Sequence, residues 1–157
     1  MIIFKKDQDI FSSTANYLIN PVNTKGVMGK GLALEMKQRF PENFKFYKSF
    51  CSSSSPKGGD LLFYYPKVED YLKGDRRIIN FCTKEDWRKP SKIDWIEKGL
   101  AQLVIDIISI FPNNEYPSPL LAVPLIGCGQ GGLNREKVIE VITDTFKDCL
   151  FDIEVYV

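Results

Sequence analysis

One pattern constrains this chain more than any other, and it occurs twice. An apolar run, a glycine-rich loop and a helix-like periodicity follow one another at residues 17–40 and again at residues 120–146. The first loop, residues 24–31, carries Gly26, Gly29 and Gly31, and the second, residues 127–132, carries Gly127, Gly129, Gly131 and Gly132. Strands alternating with helices build a layered α/β domain whose sheet is covered on both faces. In such sheets ligands gather beyond the carboxyl ends of the strands, where loops of this kind lie. Each loop then combines close backbone approach with a helix N-terminus, and the pair is suited to grip a diphosphate from both sides. The competing reading, glycines that merely permit positive φ in tight turns, weakens when both loops sit at equivalent edges of one sheet.

Familiar phosphate loops do not fit. A P-loop needs four residues between its first Gly and the Gly-Lys pair, then Ser or Thr to reach magnesium. Here two residues separate Gly26 from Gly29-Lys30, and Gly31 stands where the hydroxyl belongs. Against the dinucleotide fingerprint, Gly29 and Gly31 supply the first two glycines but Leu34 takes the place of the third.

Strands are expected at residues 1–6, 17–22, 60–65, 77–83, 120–126 and 151–157, from apolar, β-prone runs bounded by turn residues. A helix starts at Leu32 with Leu32, Met36 and Phe40 on one face; Pro41 interrupts or ends it, and Phe44, Phe46, Tyr47 and Phe50 point to renewed helical packing. Residues 52–59 read as a surface loop, residues 70–75 as a polar connection and residues 112–119 as a turn-rich one. Ser91-Lys-Ile-Asp94 resembles a capping box ahead of a helix carrying Ile96, Leu100, Leu103, Val104, Ile107 and Phe111. Asn134 is placed to cap a last helix with Val138, Val141, Ile142 and Phe146. With no repeat and no linker in view, residues 1–157 are expected to form one domain.

Composition matters here through what it lacks. The chain contains no histidine, which removes Ser-His and Cys-His nucleophile pairs and most zinc sites. Cys51, Cys82, Cys128 and Cys149 are scattered, against both a metal cage and a disulfide framework, and fit a reducing cytoplasm. No apolar run approaches the roughly 20 residues that span a bilayer, and no basic-then-apolar leader opens the sequence, so a cytoplasmic location without membrane contact is expected. A formal charge of +1 gives no global field, so an anionic ligand must be held by local geometry.

Asn20-Pro-Val-Asn23, then Gly26-Val-Met-Gly29-Lys-Gly31-Leu-Ala, then Leu125-Ile-Gly127-Cys-Gly129-Gln-Gly131-Gly132-Leu133 together strongly resemble the macrodomain family of ADP-ribose binders. The resemblance spans essentially the whole chain. It is nearest to the branch of DarG antitoxins and terminal ADP-ribose protein glycohydrolases, which Gln8-Asp9-Ile10-Phe11 and Phe81-Cys-Thr83-Lys84-Glu-Asp-Trp87-Arg88 also resemble. It implies a three-layer α/β/α macrodomain with a mixed, mostly parallel central sheet. It also implies that Thr24, Gly26, Val27, Met28, Gly29, Lys30 and Gly31 on one side, with Ile126, Gly127, Cys128, Gly129, Gln130, Gly131, Gly132 and Leu133 on the other, wrap the ribose and phosphates of ADP-ribose.

Further roles come with the resemblance. Asp9 is implied to accept a hydrogen bond from the adenine amino group beside the Ile10 backbone, the alternative being an N-capping aspartate. Asn23 is implied to hold the distal ribose hydroxyls, the alternative being a turn asparagine; Asn20 organises the loop. Lys84, after Thr83, is the implied catalytic residue, acting at the anomeric carbon. A neutral amine is a good nucleophile toward a masked aldehyde, and burial favours the neutral form. An imine-type intermediate, charge stabilisation with attack by water, and a merely solvated surface lysine all stay open.

The protein glycohydrolases carry an aspartate in the second loop, whereas this chain has Gln130-Gly131-Gly132 there. The implied activity is therefore hydrolysis of ADP-ribosylated DNA, with thymidine the implied base, ahead of ADP-ribosylated protein. No metal and no cofactor beyond ADP-ribose as ligand and product is expected, and a cognate ADP-ribosyltransferase toxin is the implied partner. An ADP-ribose 1″-phosphate phosphatase and a non-catalytic ADP-ribose reader are the alternatives. Trp87 is a candidate for stacking on a base, Trp95 reads first as a core anchor, and Cys128, lacking a base to activate it, reads as loop packing.

Overall fold

The computed structural model describes residues 1–112 and 118–157, so the connection expected at residues 112–119 lies largely outside the described residues. Strands β1 (Ile2–Lys5), β2 (Tyr17–Asn23), β3 (Leu61–Tyr64), β4 (Ile78–Lys84), β5 (Leu120–Pro124) and β6 (Asp152–Tyr156) form one sheet in the order β1-β6-β5-β2-β4-β3. Neighbours run parallel except the edge strand β3, which is antiparallel to β4. Helices α1 (Gly31–Arg39), α2 (Pro41–Ser54), α3 (Val68–Leu72), α4 (Ile93–Ile110) and α5 (Arg135–Phe146) complete the expected α/β/α layering.

The inner strands read as continuous apolar runs because both faces are covered. Tyr17, Ile19, Ile79, Phe81, Leu121, Val123, Ile153 and Val155 pack against α4 and α5. The alternate residues face the other way: Leu18, Ile78 and Ala122 meet Ile10, Met36 and Phe40, while Val22, Leu62 and Cys82 meet Met28 and Tyr47. On α4, Ile96, Leu100, Leu103 and Ile107 are fully buried, each contributing about 1.5–3 kcal/mol of burial.

The topology opens a crevice. From β2 the chain moves outward through α1, α2 and β3 to β4, whereas from β5 it moves the opposite way through α5 to β6. The neighbours β2 and β5 therefore form the switch point at which α/β sheets bind ligands. Among the described residues these strands pair at Tyr17 with Leu121 and Leu18 with Ala122, and then part. Each carries a proline beyond the split, Pro21 and Pro124, which brings no N–H to a ladder. On its other side β2 stays in register with β4 as far as Val22 and Cys82; Asn23 then pairs with Lys84, leaving Thr83 as the extra residue of a bulge.

Some local expectations hold and others are corrected. Pro41 ends α1 and begins α2, with Phe40 as the shared cap, as suits a residue whose missing N–H is unneeded in a first turn. β5 stops at Pro124 because Ile126 N–H turns back to Pro124 O at 2.8 Å. Residues 52–59 are not an open surface loop: α2 continues to Ser54, and Gly58 is buried against the Trp95 indole with no room for a Cβ. The capping box is absent as well, since α4 begins at Ile93 and Ser91 is buried with its N–H donated to Gly131 O at 2.9 Å. Asn134 does cap α5, its Oδ1 accepting from Lys137 N–H at 2.9 Å. The short helix α3 and the 3₁₀ turn Ile10–Ser12 are too brief to show a periodicity in the sequence.

Candidate functional site

The first loop leaves the end of β2 and is held by side chains. Asn23 Nδ2 donates to Val27 O at 2.7 Å, and Oδ1 accepts from Lys25 N–H at 2.9 Å. The Tyr47 hydroxyl, reaching up from α2, lies 2.7 Å from Asn23 O and 2.9 Å from Asn23 Oδ1. Burial, with Cys51 and Cys82 close by, holds its pKa above the usual tyrosine range, so it remains a donor. Thr24 Oγ1 ties the loop to the chain beyond β4 by donating to Glu85 O at 2.7 Å.

Three fully buried asparagines lie beneath the loop. Asn80 Oδ1 accepts from both Asn20 and Asn43 at 3.1 Å, and Asn80 Nδ2 donates to Asn43 Oδ1 at 2.8 Å. Asn20 also lies 3.9 Å from the sulfur of Met28, which is buried with Val22, Tyr47, Leu62 and Cys82. Met28 therefore anchors the loop from below. Beyond it, Lys30 makes no side-chain capping bond among the described residues, and the first helical bond of α1 runs from Leu34 N–H to Lys30 O at 3.2 Å. The N–H groups of Gly31, Leu32 and Ala33 precede that bond, and these residues border the cleft, so the positive end of the helix faces an open space.

The second loop is held by its own backbone. Cys128 N–H donates to Leu125 O at 3.3 Å, Gly132 N–H to Gly129 O at 3.2 Å and Leu133 N–H to Gly127 O at 2.9 Å. Gly127 and Gly132 have φ of 76° and 72°, the left-handed region that favours glycine. A Cβ on Gly131 would overlap Gly127 O and Ser91 Oγ, and Ser91 N–H binds the Gly131 carbonyl. Asn134 caps α5 through Lys137 N–H, and no residue of that helix's first turn borders the cleft, so the second loop brings it no comparable positive end.

Lys84 joins the two loops. Its Nζ donates to Gln130 O at 2.8 Å across the cleft, and the residue is 8% exposed. Burial, and secondarily the nearby Lys30 ammonium, pulls its pKa below the ordinary lysine value. The cleft measures about 440 Å³. Asn23, Val27, Gly29, Lys30 and Gly31 form one wall, Thr83 and Lys84 the floor, and Gly127, Gly129, Gln130 and Gly131 the other wall. Trp87 stands at the rim.

The remaining candidates do not border this cleft. Asp9 Oδ1 accepts from Phe11 N–H at 3.0 Å as the cap of the 3₁₀ turn, and Ile10 is buried with Met36 and Phe40. Asn20, Thr24 and Met28 support the first loop from beneath or behind, while Gly26, with φ of 80°, shapes its turn against Lys48 and Cys51. Ile126, Cys128 and Leu133 pack toward the core under α4 and α5, with burial pushing the Cys128 thiol pKa up, and Gly132 closes the turn. The supporting roles of Tyr47, Asn43, Asn80 and Ser91 escape the sequence reading. Asn80 alone leaves a trace, an amide amid Ile-Ile-Asn-Phe-Cys on a strand covered on both faces, which must find partners inside.

Comparison with known proteins places these features in context. The model of the Macro domain family matches residues 19–142. A protein of Mycobacterium tuberculosis named DNA ADP-ribosyl glycohydrolase is 39% identical over 141 residues, covering 88% of this chain and 37% of the relative. The chain thus spans well under half the length of that relative. The solved macrodomain of Thermus aquaticus DarG superposes with a TM-score of 0.85 at 32% identity, covering 100% of this chain and 98% of that one. The structure titled Thermosipho africanus DarTG in complex with ADP-ribose gives 0.82 at 28% identity, covering 98% of this chain and 41% of that one.

Proposed function

Since the chain belongs to the Macro domain family, we propose that it binds ADP-ribose in this cleft and hydrolyses the bond joining ADP-ribose to a base of DNA. The names of its relatives support that substrate class. The observation that carries the reading is Lys84, an amine buried at the floor between the two loops and aimed at the second. The open N-terminus of α1 suits the diphosphate, with N–H groups supplying the donors that a metal supplies elsewhere. Thymidine is the base implied by the resemblance, and the counterpart of the activity is a transferase that installs the mark.

Two routes use the same lysine. In the covalent route the neutral Nζ attacks the anomeric carbon while the bond to the base breaks; the base leaves with the electron pair and takes up a proton. Water then hydrolyses the lysine-linked sugar, releasing ADP-ribose and restoring the amine. In the other route the protonated Nζ steadies the departing charge and water attacks directly.

The test sets ADP-ribosylated single-stranded DNA, ADP-ribosylated protein and ADP-ribose 1″-phosphate side by side and reads product by mass. Turnover on the DNA is expected, falling by about 10³-fold or more in Lys84→Ala while free ADP-ribose still binds. Borohydride capture of a sugar adduct on Lys84 supports the covalent route. That route also requires activity to rise with pH through a pKa lying below the ordinary lysine value, because the reactive neutral form gains as protons leave. Undiminished turnover in Lys84→Ala overturns the reading, and a parent protein that binds ADP-ribose but turns over nothing is a reader.

A further inference from the structure

Neither the grip on ADP-ribose nor the lysine chemistry accounts for Trp87. It stands at the rim of the cleft on the turn that follows β4 and is 48% exposed. Trp95, by contrast, is packed onto Gly58. The Trp87 ring is braced from one side: the Arg88 guanidinium lies 4.8 Å from its centroid. Arg88 is itself fixed by Asp86, through Nε to Oδ1 at 3.0 Å and Nη2 to Oδ2 at 2.7 Å, while its backbone N–H meets Oδ1 at 2.9 Å. The arginine is therefore paired and serves as a support for the ring, and about half of the tryptophan surface stays exposed beside the cleft. A flat, pre-positioned aromatic surface next to the reacting amine is complementary to another flat π system.

We propose that Trp87 is the stacking platform for the nucleobase to which the ADP-ribose is attached, and that the platform selects an unpaired base. Inside a duplex both faces of a base are already covered by its neighbours, so stacking on the indole requires a base in a single strand or one drawn out of the helix. The inference rests on the reading of the Lys84 cleft as an ADP-ribosyl-DNA hydrolase. Because the contact is stacking and Arg88 is already paired, it contributes affinity without adding a phosphate contact. The salt dependence of DNA binding is then left as it was.

The experiment measures kcat and KM for the parent, Trp87→Ala and Trp87→Phe on an ADP-ribosylated single-stranded oligonucleotide, the same strand in a duplex, and an ADP-ribosylated protein. The affinity of each protein for free ADP-ribose is measured in parallel. Trp87→Ala is expected to lose about 10- to 100-fold in kcat/KM on the single strand, mostly through KM, with Trp87→Phe recovering most of the loss. The parent should prefer the single strand to the duplex, and the slope of affinity against salt should match in parent and Ala variant. An equal loss on free ADP-ribose or on modified protein overturns the platform, as does no loss on the oligonucleotide by a parent that cuts it. A parent inactive on the oligonucleotide overturns the DNA reading itself, and this inference with it.

Discussion

In the first glycine loop, side chains from distant elements hold the backbone: Tyr47 from α2, Asn23 from the end of β2, and the buried amides of Asn20, Asn43 and Asn80 beneath. In the second, backbone bonds between Gly127 and Leu133 and between Ser91 and Gly131 do the holding, and what matters is the room left by missing side chains. The electrostatic outcome also differs. The first loop leaves the start of α1 open toward the cleft, whereas the start of α5, capped by Asn134, does not border it. The sequence pattern promised two equivalent jaws. The structure gives one jaw that offers a positive helix end and another that offers a rigid carbonyl to Lys84.

This contrast can be broken experimentally, and the largest effect belongs to the backbone-held loop. Gly131→Ala forces a methyl group onto the Gly127 carbonyl and Ser91 Oγ, so a loss of about 3 kcal/mol in urea unfolding is expected. A value near zero would show that the second loop yields easily and is not rigid. Next comes Tyr47→Phe, which takes the hydroxyl donor from Asn23 O and leaves Asn23 Oδ1 with its backbone donor Lys25 N–H alone to hold it at close range. About 1.5 kcal/mol of stability and a weaker ADP-ribose affinity by calorimetry are expected. Unchanged affinity would mean that the first loop keeps its shape without that support.

The smallest effect on stability is the most discriminating about function. Gly129 has ordinary φ, and among the described residues a Cβ there meets nothing within 4 Å, so Gly129→Ala should change stability by less than about 0.5 kcal/mol. If that glycine serves close approach of a ligand, ADP-ribose affinity nevertheless falls. If affinity holds, the glycine is dispensable on both counts.

Local features were legible in the sequence and long-range ones were not. The apolar runs announced the strands, and Asn134 announced the start of α5, because each signal lies within a few residues of its consequence. The position of Lys84 came from its resemblance to a motif, whereas its contact with Gln130 depends on two strand ends being brought together. Ser91 looked like a helix cap because its spacing to Asp94 fits one, yet its N–H is claimed by a glycine carbonyl forty residues further along. Tyr47 read as one more aromatic on a helix, since nothing nearby marks its hydroxyl as the support of a loop. Asp9 was assigned to adenine by resemblance; its Oδ1 caps a 3₁₀ turn by accepting from Phe11 N–H, a local contact of the kind the sequence offers as the alternative.

The extra residue Thr83 sets the phase of Lys84, its successor in β4. A bulge re-aims the side chains beside it, so excising Thr83 would close the ladder from Val22 and Cys82 directly onto Asn23 and Lys84 and remove the local bend that directs the amine at Gln130 O. Under the reading proposed above, a single inserted residue thus governs how the amine is presented to whatever the cleft holds.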